Sequence, residues 1–143
     1  MSYLIDTCVI SEFVKRKPNE NVRNWFNQQH EKQLLISAIS IAEIKKGIYK
    51  IKRSQPERAL KLQSWLNTLE LSFSQRILPI NYDVLEHWAQ LSASMERQGH
   101  TLAVMDSLIG ATAHHYDLTI ATRNVNDFNA LPLKIINPFE KVS

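Results

Sequence analysis

Cysteine is all but missing from this chain: among its 143 residues there is one, Cys8. A lone thiol closes no internal disulfide, and without a CxxC pair or a Cys/His cluster there is no zinc scaffold, so redox and zinc folds drop out. Long apolar runs are missing as well. Those present, such as Ile77-Leu78 and Leu108-Ile109, are a few residues long against the ~20 needed to cross a bilayer, so no membrane span is expected. Met1 to Ile5 runs into Asp6 with no basic stretch and no apolar segment before a cleavage site, and the expected location is the cytoplasm. Internal repeats, low-complexity stretches and linkers are also absent. What is there is 44% hydrophobic and 22% charged, an ordinary balance for a soluble globular protein and far from the signature of disorder. The length suits a single domain, 1–143, which can bury roughly 68–70% of its unfolded surface around one core.

The formal charge of +3 conceals an asymmetry. Residues 1–61 hold 12 Lys and Arg against 6 Asp and Glu, whereas residues 62–143 hold 5 against 8. The basic residues gather at Lys15-Arg16-Lys17 and at Lys45, Lys46, Lys50, Lys52 and Arg53. Such runs suit a polyanion, and equally a solvated helix face; charge alone does not separate the two.

Hydrophobic periodicity places short strands between helices. Tyr3-Leu4-Ile5 reads as a strand ending at Asp6, with a helix from about Val9 that Pro18-Asn19 breaks. A helix through Val22, Trp25 and Phe26 precedes a buried-type strand, Leu34 to Ser37. Ser40-Ile41-Ala42-Glu43 fits the capping box S-x-x-E and predicts a helix start there, with Ile41, Ile44, Ile48 and Ile51 at helical spacing. Pro56 opens another helix, whose stripe is Leu62, Trp65, Leu66, Leu69 and Phe73. Arg76 to Ile80 reads as an edge strand because of Pro79, and Asn81 caps a helix that stops at Gly99. An apolar helix from Asp106 to His114-His115, a strand at Leu118 to Ala121 and a fifth at Leu133 to Ile136 complete the pattern. Strands separated by helices imply right-handed crossovers, hence a three-layer α/β/α fold with a mostly parallel sheet of about five strands. In such sheets ligands bind beyond the carboxyl ends of the strands.

Four acids fall at those ends: Asp6, Glu43, Asp106 and Asp127. Each has a structural explanation of its own. Asp6 suits an N-cap, Glu43 the third position of a capping box, Asp106 the first turn of a helix, and Asp127 a turn ahead of Phe128. If they converge, two like charges ~4 Å apart at an effective dielectric of ~20 repel by roughly 4 kcal/mol, and a counter-charge is required. Oxygen donors alone select a hard ion, Mg²⁺ or Mn²⁺, and such a site suits phosphate chemistry.

Asp6-Thr7-Cys8-Val9-Ile10-Ser11-Glu12, Ser40 to Gly47, Met105 to Ala113 and Ala121 to Phe128 together resemble the PIN-domain ribonucleases, and among them the VapC toxins of type II toxin–antitoxin pairs. The resemblance runs from residue 3 to about 137, with the four segments in the family's order and spacing. It implies a PIN-like fold and a metal-dependent endoribonuclease that hydrolyses RNA phosphodiester bonds, tRNA or another structured RNA being the substrate. Asp6, Glu43, Asp106 and Asp127 are then both the catalytic and the Mg²⁺ or Mn²⁺ residues. Asp6 and Asp106 hold the principal ion, Glu43 orients or deprotonates the attacking water, and Asp127 completes the shell or a weaker second site. Thr122 and Asn124 help to shape the site. The resemblance further implies a homodimer and a cognate VapB-like antitoxin, in a heterotetramer or larger assembly, with an antitoxin arginine reaching the carboxylates. One departure stands out: Cys8 occupies a position where close relatives often carry asparagine.

Lys45, Lys46, Lys50 and Arg123, with the Lys15-Arg16-Lys17 run, are candidates for the RNA backbone. Trp25, Trp65 and Trp88 have the spacing of core residues, and His114-His115 stand where cations suit the helix dipole, outside any H-x-E or HExxH pattern. Two other classes fit poorly. A receiver domain needs paired acids after the first strand, and an aspartate-nucleophile phosphatase needs D-x-D where this chain has Asp6-Thr7-Cys8. The remaining alternative is a non-catalytic RNA- or protein-binding module with a vestigial acidic site.

Overall fold

A computed structural model describes residues 1–141; the last two residues of the expected 1–143 unit lie outside the described residues. Five short strands, β1 (Tyr3–Ile5), β2 (Leu34–Ser37), β3 (Ile77–Leu78), β4 (Thr119–Ala121) and β5 (Ile135–Ile136), form one sheet in the order β3-β2-β1-β4-β5. All of its pairings are parallel, with Leu4 opposite Leu35 on one side and Ile120 on the other. The chain proceeds from β1 outward through β2 to β3, then returns to lay β4 against the free side of β1. That reversal opens a crevice above the carboxyl ends of β1 and β4.

Helices α1 (Thr7–Ile10), α2 (Glu20–Asn27), α3 (Ala38–Ile51) and α4 (Pro56–Ser72) cover one face, and α5 (Tyr82–Arg97), α6 (Val104–His115) and α7 (Val125–Phe128) the other. Side-chain alternation along the strands divides the core accordingly. Ile5 and Ala121 join Val9, Val22, Trp25, Ile41 and Leu66 on the first face, while Leu4 and Ile120 join Met95, Ile109, Ala113 and Phe128 on the second. Gly110 of α6 lies so close to the chain following α7 that an added Cβ would stand 2.5 Å from Leu131 Cδ1. No helix among the described residues is long and apolar enough to cross a membrane.

Local chemistry sets the helix ends. Asn19 and Asn81 cap α2 and α5 through their side-chain oxygens, and Pro56 opens α4. Gly99, at φ +79°, ends α5 in a Schellman arrangement in which His100 N–H donates to Met95 O at 2.9 Å. Two boundaries differ from expectation. The first helix starts at Thr7, because Asp6 itself is the cap. Helix α3 starts at Ala38, because the Ser37 Oγ at the end of β2 accepts from Ile39 N–H at 3.1 Å. Ser40 is therefore inside the helix, and no capping box links it to Glu43.

Candidate metal centre

Asp6 closes β1: its N–H donates to Ala121 O at 2.9 Å, a last rung that leaves the side chain standing over the crevice. The carboxylate is 5% exposed and both oxygens are engaged. Oδ1 accepts from Thr7 N–H at 2.8 Å and Oδ2 from the Thr122 hydroxyl at 2.7 Å. Thr122 is in turn fixed by Ile136 O, which accepts its N–H at 2.9 Å, and its Oγ1 accepts from Asn124 N–H at 3.0 Å. Asn124 thus shapes the loop through its backbone, while its side chain is exposed.

Thr7 joins the first acid to the second. Its hydroxyl donates to Glu43 Oε1 at 3.0 Å, so the start of α1 is tied to α3 and Glu43 Oε2 is left open. Asp106 in the first turn of α6 and Asp127 in the first turn of α7 line a cleft of about 310 Å³ together with His100, Thr101 and Asn126. Burial, followed by the charges of Asp6, Asp127 and Glu43, raises the Asp106 carboxyl above its ordinary 3.8. Asp6, Glu43 and Asp127 thus all act on Asp106, while of the four only Asp106 and Asp127 line the cleft itself.

Cys8 sits between the two loops. Its sulfur lies 3.7 Å from Asp6 Oδ2 and 3.6 Å from Thr122 Oγ1, and it accepts from Arg123 N–H at 3.4 Å. Burial, reinforced by the Asp6 charge, pushes the thiol up, and the sulfur fills the space as a small neutral group with two contacts to the Thr122–Asn124 loop. Glu12, which the sequence did not single out, is 4% exposed and holds the turn after α1. Its carboxylate accepts from Lys15 Nζ at 2.7 Å and Asn19 N–H at 3.0 Å, and the Lys15 contact leads in pulling it below the usual carboxylate range.

The donor set suits a hard divalent ion. It is all carboxylate oxygen, it stands at the edge of the sheet, and its mutual repulsion is what a cation relieves. Asp6 and Asp106 would hold such an ion, with Glu43 and Asp127 on its flanks. As placed, no three Asp, Glu, His or Cys side chains among the described residues form a group that holds an ion, so the shell closes only with water or substrate oxygens or with movement of side chains.

The basic candidates divide. Lys45 Nζ is 3.7 Å from Glu70 Oε1 and faces α4. Lys46 and Lys50 are exposed and follow Glu43 at i+3 and i+7, hence on the same face of α3. Arg123 is exposed beside Thr122, with its guanidinium 3.7 Å over the Phe139 ring. Trp25 is buried against Tyr3, and Trp88 Nε1 donates to Ser107 Oγ at 2.8 Å, as befits structural residues. His114 and His115 meet His87 of α5 at the far end of α6 from Asp106.

Comparison with known proteins places this geometry. The PIN domain profile matches residues 3–132. Toxin FitB of Neisseria gonorrhoeae is 33% identical over 136 residues, covering 95% of this chain and 97% of the relative. VapC ribonuclease Y4jK of Sinorhizobium fredii is 33% identical over 138 residues, covering 96% and 97%. The crystal structure of FitAcB from Neisseria gonorrhoeae superposes with a TM-score of 0.88 at 32% identity, covering 96% of this chain and 98% of that one.

Proposed function

The chain belongs to the PIN domain family, and from that premise we propose that it is a metal-dependent endoribonuclease, the toxin of a toxin–antitoxin pair, acting on tRNA or another structured RNA. The observation that carries this reading is the placement of the carboxylates: Thr7 links Asp6 to Glu43, Asp106 and Asp127 line one cleft, and the Asp106 carboxyl is raised by burial and then by the charges of Asp6, Asp127 and Glu43.

An Mg²⁺ or Mn²⁺ ion bound there supplies an acidified water and offsets the charge that builds on the phosphate and the leaving oxygen. The protein's own groups do the rest. Thr122 and the Thr7 N–H hold both Asp6 oxygens, so the first ligand is oriented before anything binds. Thr7 holds Glu43 by Oε1, which leaves Oε2 to accept a proton from the attacking water. Attack in line on phosphorus gives 5′-phosphate and 3′-hydroxyl ends, and the ribose 2′-OH is not needed as nucleophile.

The antitoxin is a VapB-like chain whose arginine meets the carboxylates as a bidentate partner. Its apolar segment has two grooves available along α4, one lined by Phe26, Leu34, Trp65 and Phe73 and one by Ile48, Tyr49 and Leu60. The toxin pairs as a homodimer and, with the antitoxin, forms a heterotetramer or larger assembly.

Purified protein is incubated with total bacterial RNA and Mg²⁺ or Mn²⁺, against EDTA and an Asp6→Ala control, and product ends are sequenced. Discrete cuts that need the ion and vanish in the variant are expected. The alternative, a binding module with a vestigial site, has one observation in its favour, the acids not forming an ion-holding group as placed. It predicts RNA or protein binding with no ion-dependent cleavage.

A further inference from the structure

The loop after β4 turns its arginine onto a second element. Arg123 follows Thr122, whose hydroxyl holds Asp6, and its guanidinium lies 3.7 Å over the ring of Phe139, in the segment after β5. Neither partner is loose. The Arg123 N–H is tied to Cys8 Sγ at 3.4 Å, the Phe139 carbonyl accepts from Asn21 Nδ2 at 2.9 Å, and the Phe139 N–H donates to Asn137 Oδ1 at 3.0 Å. The ring is half-buried and the arginine exposed, so one side of the guanidinium meets an aromatic and the other meets solvent. Glu12 lies within the field of Arg123 but spends its two oxygens on Lys15 and Asn19 N–H. Arg16 and Lys17, in the same turn, are exposed.

A guanidinium seated on an aromatic ring is a flat, cationic surface, and nucleic-acid bases stack on such surfaces when they are outside a helix. The other candidates lack that shape. Lys46 and Lys50 offer point charges for a backbone, and the three tryptophans are buried, bonded to Ser107 or set in the α4 groove. Resting on the nuclease reading above, we propose that Arg123, supported by Phe139, is the specificity-determining residue of this site: an unpaired base next to the scissile phosphate stacks on its open face, while Arg16 and Lys17 carry the adjoining phosphates.

Arg123→Lys keeps the charge and removes the plane. The probes are a short RNA hairpin with a fluorescent base analogue in its loop and the fully paired duplex of the same stem. Wild type cuts the hairpin in preference to the duplex. Arg123→Lys raises KM for the hairpin about tenfold with kcat unchanged, the loss of one base–side-chain stack. Its salt dependence stays that of wild type, whereas Arg16→Gln with Lys17→Gln flattens the slope of log affinity against log salt. In the inactive Asp106→Asn background the loop analogue is quenched on binding, and adding Arg123→Lys abolishes the quench. Equal KM and equal quench with and without Arg123→Lys, or equal cutting of hairpin and duplex by wild type, overturns the stacking site while leaving the nuclease standing. No ion-dependent cleavage by wild type overturns the nuclease reading and this inference with it.

Discussion

At its first turn α6 brings Asp106 into the field of three other carboxylates; at its last turn it brings His114 and His115 against His87 of α5. His87 Nε2 meets His114 Nδ1, and His115 Nδ1 lies 3.4 Å from His87 Nδ1, with ring centroids 4.5 and 5.5 Å apart. Both clusters gather groups that repel when charged. A neutral imidazole offers one donor and one acceptor, so neighbouring rings can satisfy each other. Burial, then His114 and His115, keep His87 below its ordinary 6.5. Carboxylates have no such escape at neutral pH. The repulsion that helps to raise Asp106 is also an attraction for a cation. A self-contained cluster suits helix packing, and an uncompensated one suits binding.

The comparison can be broken first at the acid end. Glu43→Gln, which keeps the shape and removes the proton acceptor, is expected to lower the cleavage rate by about 10²–10⁴-fold, measured on the RNA cut by wild type. Next comes the support of Asp6: Thr122→Val should cost about 10–100-fold in activity or ion affinity, read by titrating Mn²⁺. Smaller effects concern stability. Asp106→Asn should raise the melting temperature of the ion-free protein and lose that advantage in saturating Mg²⁺. Because the folded Asp106 carboxyl is raised above 3.8, the folded state holds the extra proton, and its penalty, full above the raised value, is relieved as pH falls through it. The histidine end has the opposite sign. His87 is lowered below 6.5, so its contribution is full above 6.5 and is lost as pH falls from there toward the folded value. Denaturant midpoints across mildly acidic pH should show that decline, and His87→Phe should flatten it.

The two ends also differ in how far the sequence revealed them. The acids fall at strand ends and in first turns, where Asp and Glu have a pattern of their own, and the ordered set of segments singled out all four as candidates. Their mutual approach was not legible, because it depends on Thr7 and Thr122, hydroxyls that look like any others until β1 and β4 are paired. The histidine cluster joins residues 27 and 28 positions apart on two helices, with no motif to mark them. Strand order needed the reversal at β1, but the strands themselves were readable down to Pro79 ending the edge strand. The helix at Ser40 shows where local pattern fails: S-x-x-E was present, yet Ser37 at the end of β2 reached the free N–H groups first.

The site is split along the chain. Asp6 is made well before its neighbours in space: the strand beside it, the hydroxyl that orients it and two of its fellow acids lie between residues 106 and 127. At ~5–20 residues per second, a ribosome needs roughly 6–24 s after Asp6 to reach Asp127. A chain still short of Asp127 therefore lacks the assembled crevice, and a premature stop codon before that position is expected to give a product that cuts no RNA in the same assay. The acids come together only after that delay, and it is the interval in which whatever restrains the site can be supplied.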